Sequence, residues 1–256
     1  MSFRMNPRCP MPLYDRIKEK NTKISLICPQ CASAADGVGT WFVETIRDDG
    51  LYTGKCPNGH DLLIATQTLR HEMLFEIALN GIRDGYYREA VLSFAGSVER
   101  YFEFAIRVIS RGRAADTGLF TKAWKDVAKQ SERQFGAFLF LYLTEYRCEP
   151  KMLDQKMTEL RNNVAHKGQI PERAEALHFG ESAYEVIQSG IRQLRDTHLE
   201  SVNAILCEET AVKAEKMGTK YPRSFQVTPT VLNVIEDTAS GYKPFNQILK
   251  ERGLSR

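Results

Sequence analysis

Long apolar runs are missing from this 256-residue chain: the longest, "AFLFLYL" at residues 137 to 143, falls far short of the roughly 20 residues that a membrane-spanning helix needs. No membrane crossing is expected. The opening residues "MSFRMNPRCPMPLYDR" carry charges and prolines where a secretory leader would need a continuous apolar core, so no export signal is read and the cytoplasm is the expected address. A strong charge of one sign is missing too. The net charge is +3, which lacks the basic footprint of a general nucleic-acid binder, so any RNA contact must come from a local patch. Tandem repeats and low-complexity runs are absent. Cysteine is scarce, with six in the chain, and without an export signal these thiols are expected to stay reduced rather than form a disulfide framework.

What is present is a soluble, globular composition, 43% apolar and 26% charged, of a length that fits one large domain or two modest ones. The cysteines are informative through their spacing. Cys28 and Cys31 stand in "CPQC", and Cys56 and His60 in "CPNGH", which gives C-x2-C, a gap of 24 residues, then C-x3-H. Two such short knuckles deliver four soft or borderline ligands in pairs, as a tetrahedral zinc site requires. The proline after each first cysteine and Gly59 before His60 suit tight turns. Between the knuckles, Trp41, Val43 and Ile46 bracket polar residues and "DDG" is expected to turn a hairpin. Residues 23 to 66 therefore read as a zinc ribbon after an N-terminal tail, 1 to 22. Four protein ligands leave no open position, so the zinc is expected to be structural. Cys9 in "RCP" is a fifth participant or a replacement for His60.

From residue 67 to 208 the period becomes helical. Val91, Phe94, Val98, Tyr101, Phe102, Ala105 and Val108 mark the stripe of a helix packed on one face. A preceding helix closes near Gly85, and the short connection predicts an antiparallel pair. One or two more helices follow over 119 to 147. Another starts near Lys151 and is capped by Gly168 with Pro171 beyond, and the longest covers about 172 to 207. The expected fold is mainly α, a helical bundle preceded by a small β ribbon. Phe102 and Tyr184 are read as core, and Cys148 and Cys207 as isolated thiols. The tail, 209 to 256, is read as an exposed linker followed by two short helices, in "TPTVLNVIEDT" and in "KPFNQILKER".

One stretch of the bundle carries chemistry. "LRNNVAHKG", residues 160 to 168, places a guanidinium, an amide and an imidazole near a helix end. Arginine can grip a phosphate through two parallel N–H bonds, and histidine exchanges protons near neutral pH. Residues five apart on a helix differ by about 140° in direction, so Arg161 and His166 do not share a face, whereas Asn162, four before His166, is its same-face neighbour. A kink or a second copy of the chain is needed to bring the pair together. A lone Arg and His in the last turns of a helix are also common, because the helix dipole favours cations there.

Arg161, Asn162 and His166, on a helix that follows a helical pair, resemble the signature of HEPN domains (higher eukaryote and prokaryote nucleotide-binding). The resemblance covers the middle of the chain and leaves the ribbon and the tail aside. It implies an all-α, metal-independent endoribonuclease, commonly a toxin, abortive-infection or phage-defence effector, working as a homodimer with two motifs facing across the interface. Arg161 and His166 would carry the reaction, Asn162 would orient the histidine or a phosphate, and Lys167 would hold a neighbouring phosphate. An antitoxin or sensor protein is the implied partner besides RNA. Family members often place an acidic or polar residue on an earlier helix near the motif, for which Glu99 and Glu103 are candidates by position. Relatives modified by a nucleotidyltransferase antitoxin carry Tyr two residues after the histidine. Gly168 stands there, which puts that regulation in doubt. Other members have lost catalysis, so the alternative is a non-catalytic zinc-ribbon and bundle module that binds RNA, nucleotide or a protein.

Overall fold

The computed structural model describes residues 23–33, 40–218, 223–228, 230–234 and 243–254. Cys9 lies outside them. Residues 23 to 66 form strands β1 (Lys23–Ile27), β2 (Trp41–Thr45), β3 (Leu51–Lys55) and β4 (Asp61–Thr66), with a one-turn helix α1 (Pro29–Ala32) after β1. The body is helical: α2 (Arg70–Asp84), α3 (Tyr87–Gly112), α4 (Thr117–Val127), α5 (Ser131–Tyr146), α6 (Gln155–His166) and α7 (Arg173–Lys216). A last strand, β5 (Arg223–Gln226), and helix α8 (Phe245–Glu251) complete the described elements. The architecture is a mainly α bundle preceded by a small β region. No helix among the described residues is long and apolar enough to cross a membrane.

The core is built by the stripe on α3. Val91, Phe94, Val98, Tyr101, Phe102, Ala105 and Val108 are all buried, and α3 packs against α2, α5, α6 and α7, so one amphipathic face organises the bundle. Tyr184 on α7 is buried with it. Two glycines set how closely helices approach. A Cβ on Gly190 would stand 1.7 Å from the Tyr101 hydroxyl, and one on Gly180 2.8 Å from the Phe94 ring. Gly85 ends α2 in the left-handed region, φ +80°, with its amide bonded back to the helix. The apolar helix α5 behaves differently. It buries Phe138 and Tyr142 but leaves Phe140 75% exposed and Leu143 51% exposed. Cys148 and Cys207 are free and exposed.

Three expectations need correction. "DDG" turns the chain, with Asp49 accepting the Leu51 amide at 3.0 Å, but it does not close a hairpin. β2 pairs antiparallel with β1, Ser25 opposite Val43, and β3 pairs antiparallel with β4, Thr53 opposite Leu63. The turn therefore connects two separate sheets. Second, the described residues just after 208 are not an irregular linker: α7 continues to Lys216, and β5 adds to β4 in parallel, Ile64 opposite Ser224, while residues 219 to 222 lie outside the described residues. Third, the described part of "TPTVLNVIEDT" is not helical. Residues 230 to 234 are turn and irregular backbone, and they bury Leu232 and Val234 in the bundle core. The helix expected in "KPFNQILKER" is α8, whose Phe245, Ile248 and Leu249 face the core.

Candidate functional site

The ribbon brings Cys28, Cys31, Cys56 and His60 together. Cys28 precedes α1 and accepts the Cys31 amide on its Sγ at 3.5 Å, the knuckle turn that "CPQC" predicts. Cys56 and His60 flank the β3–β4 turn, where the Cys56 amide donates to the His60 carbonyl at 3.0 Å and Gly59, at φ +83°, donates to the Cys56 carbonyl at 2.8 Å. The four ligand atoms lie within 4.8 Å of one another. His60 Nδ1 is 3.7 Å from Cys28 Sγ, 3.3 Å from Cys31 Sγ and 3.6 Å from Cys56 Sγ, and the Cys31 and Cys56 sulfurs are 3.9 Å apart. Bonds of about 2.3 Å to sulfur and about 2.0 Å to nitrogen, at tetrahedral angles, require edges of roughly 3.5 to 3.8 Å. The four distances lie close to those edges, and the cluster can hold a metal ion such as zinc. The three cysteines are buried, while Asn58 donates to Cys31 Sγ at 3.4 Å and to the Thr40 hydroxyl at 3.0 Å. Hydrogen bonds from Thr40 and Asn58 hold the Cys31 thiol down at about 6, whereas burial pushes Cys28 up. Donors aimed at a sulfur favour its thiolate, the form that ligates metal.

Arg161, Asn162, His166 and Lys167 lie at the C-terminal end of α6. Asp154 caps the start of that helix by accepting the Met157 amide at 2.8 Å, and Met157, Leu160 and Val164 bury its inner face. Gly168, at φ +70°, follows the end, and the Lys167 and Gln169 amides both return to the Asn163 carbonyl, so the expected glycine stop is present. Arg161 is half-buried. Its Nη2 donates to Glu99 Oε1 on α3 at 2.8 Å and its Nη1 to Asn162 Oδ1 at 3.0 Å. Glu99 thus touches the motif, while Glu103 is taken by Arg100 Nη1 at 2.6 Å. His166 and Lys167 are exposed, and no side-chain hydrogen bond holds His166 among the described residues. α6 is one uninterrupted helix, so within one chain Arg161 and His166 diverge, and Asn162 is engaged by the arginine rather than the histidine.

A cleft of about 1050 Å³ opens where the ribbon meets the bundle, with Arg47, Arg70, Arg100 and Arg107 among its lining. No local pattern in the sequence signals it, because it joins distant segments. Each of these guanidiniums already faces a carboxylate: Arg47 with Asp49, Arg70 with Asp48, Arg100 with Glu103, Arg107 with Glu209. These four cations are internally neutralised, while Lys213 and Lys216 also line the cleft, Lys213 donating to the Thr66 carbonyl. Comparison with protein-family models, curated proteins and solved structures returns no match for this chain.

Proposed function

We propose that the protein is a metal-independent endoribonuclease of HEPN type whose N-terminal ribbon carries a structural zinc. The observation that supports it most directly is the end of α6: a guanidinium steadied by Glu99 and an exposed imidazole one and a half turns later on a helix that ends in the open. The imidazole of His166 would take the proton from a ribose 2′-OH or give one to the departing 5′ oxygen. Arg161 would offset the charge that builds on the phosphate oxygens, with Lys167 on a neighbouring phosphate. Asn162, bonded to Arg161, would set the guanidinium plane or meet the phosphate itself. Because α6 does not bend, the reacting pair is best formed between two copies, Arg161 of one facing His166 of the other, and the working unit is a homodimer. As a toxin or phage-defence effector in the cytoplasm, such an enzyme needs an antitoxin or sensor protein to restrain it.

One observation favours a second reading, a non-catalytic module that binds RNA, nucleotide or a protein: the charge of Arg161 is already offset by Glu99. Zinc-loaded protein incubated with total RNA in magnesium-free buffer separates the two. The enzyme reading expects cleavage that falls about a hundredfold or more in His166→Ala, and comparably in Arg161→Ala. RNA left intact by the wild type from pH 6 to 8, with the dimer present, sinks it.

A further inference from the structure

The C-terminal segment does more than cover the bundle. β5 is only four residues long, yet Gln226 at its end joins three separate pieces of the fold. Its side-chain Oε1 accepts the Ile27 amide at 3.1 Å, and its Nε2 donates to the Ile27 carbonyl at 2.6 Å. Its main-chain carbonyl accepts the Gln67 amide at 2.9 Å. Ile27 is the residue before the ligand Cys28, and Gln67 links β4 to α2. The β1–β2 and β3–β4–β5 sheets share no strand pairing, and the amide of Gln226 reproduces, with one side chain, the two-bond exchange that a strand neighbour would give.

A short way further on, the same segment grips the first turns of α2. The Val231 amide donates to Glu76 Oε1 at 2.8 Å and the Val234 amide to Glu72 Oε1 at 2.7 Å. The other oxygen of Glu72 accepts the Leu69 amide at 2.8 Å, which caps α2. Arg195 on α7 donates to the Val234 carbonyl, and Arg252 beyond α8 bonds Glu76 at 3.1 Å. Leu232 and Val234 are fully buried. A carboxylate that is 3% exposed, as Glu72 is, is costly to bury and must keep both of its donors. One of those donors belongs to the segment and the other to the helix start.

We infer that residues 223–228 and 230–234 form a strap that transmits the metal state of the ribbon to the N-terminus of α2. With the four ligands drawn together on a metal, Ile27 is fixed beside Cys28 and holds Gln226, which keeps Val231 and Val234 on Glu76 and Glu72. When the metal leaves, the knuckle loosens, Ile27 releases Gln226, and Glu72 loses the donor that the strap supplies. The helix start is then weakened through its own capping group. The inference rests on metal binding by the ribbon and is independent of ribonuclease activity.

Hydrogen exchange on the full-length chain tests it, with metal content measured in each sample. Zinc-loaded protein is compared with protein stripped by a chelator and with zinc-loaded Gln226→Ala. Stripping should raise exchange at least tenfold at Val231, Val234, Leu69 and the first turn of α2, with the centre of α3 unchanged. Gln226→Ala should reproduce the effect on the strap and on α2 while zinc stays bound. If stripping unfolds α3 as well, the variant alone decides. Exchange confined to residues 23 to 66 after stripping, or a zinc-bound Gln226→Ala whose strap is as protected as the wild type, overturns the strap. A chain that binds no zinc at all overturns the metal reading on which it stands.

Discussion

The Cys28, Cys31, Cys56 and His60 cluster and the end of α6 are both built from residues that a sequence motif singles out, and they are finished to different degrees. In the ribbon the ligand atoms converge: three sulfurs and one imidazole nitrogen lie within 4.8 Å of one another, with Asn58 and the Cys31 amide supporting the sulfurs. At the end of α6, Arg161 is held by Glu99 and Asn162, while His166 projects from the last turn. A closed ligand set makes a staple, since nothing further can bind. The end of α6, on the proposed reading, holds half of an acid–base pair that a second copy would complete. The two regions therefore predict opposite responses to mutation, stability in one and activity in the other.

The largest effect should come from breaking the staple. The ribbon core contains Ile24, Leu26, Tyr52, Leu62 and Ile64 beside the cysteines, too few apolar residues to fold so short a segment alone. Structural zinc contributes on the order of 10 kcal/mol in comparable small domains. Cys56→Ser should abolish tight zinc binding and the protection of β1 to β4, read by metal analysis and hydrogen exchange. RNA cleavage should survive in part. A ribbon that stays protected without metal would show that the cysteines only fill space.

A smaller effect should follow from the support around the sulfurs. Asn58→Ala removes the donor to Cys31 and the tie to Thr40 without removing a ligand. Outer partners of this kind are worth about 10- to 100-fold in metal affinity, which competition with a coloured chelator measures. Unchanged affinity would mean that the Thr40 contact alone holds the thiolate.

The same contrast explains what was legible in the sequence. Knuckle spacing is local: Cys28 and Cys31, or Cys56 and His60, are fixed by one turn each, so their convergence could be read directly. Pairing is not local. "DDG" signals a reversal but does not say which strand β2 will meet, and β1, earlier in the chain, took that place. β5 has four residues and no periodicity of its own, and it exists because β4 offered an edge. In "TVLNV" the apolar residues Val231, Leu232 and Val234 fit a helix as well as an irregular plug, and the buried Glu72 and partly buried Glu76 of α2 decide for the plug by claiming its amides. Glu99 could be named by position, but its preference over Glu103 required the packing of α6 on α3 and the capture of Glu103 by Arg100.

The smallest effect on stability should come from Glu99→Gln. The Arg161–Glu99 pair is about one-third exposed on both sides, and such pairs contribute no more than about 1 kcal/mol, so the thermal midpoint should move by only a few degrees. Activity is the sharper readout. If Arg161 stabilises a developing phosphate charge, its direction matters as well as its presence. An uncharged amide in place of the Glu99 carboxylate would leave a mobile guanidinium with its full charge, so kcat for RNA cleavage should fall about tenfold while KM stays level or drops. A loss of RNA affinity with no change in kcat would place Arg161 in ground-state binding instead, and would move the end of α6 from a half-built active site to a docking point.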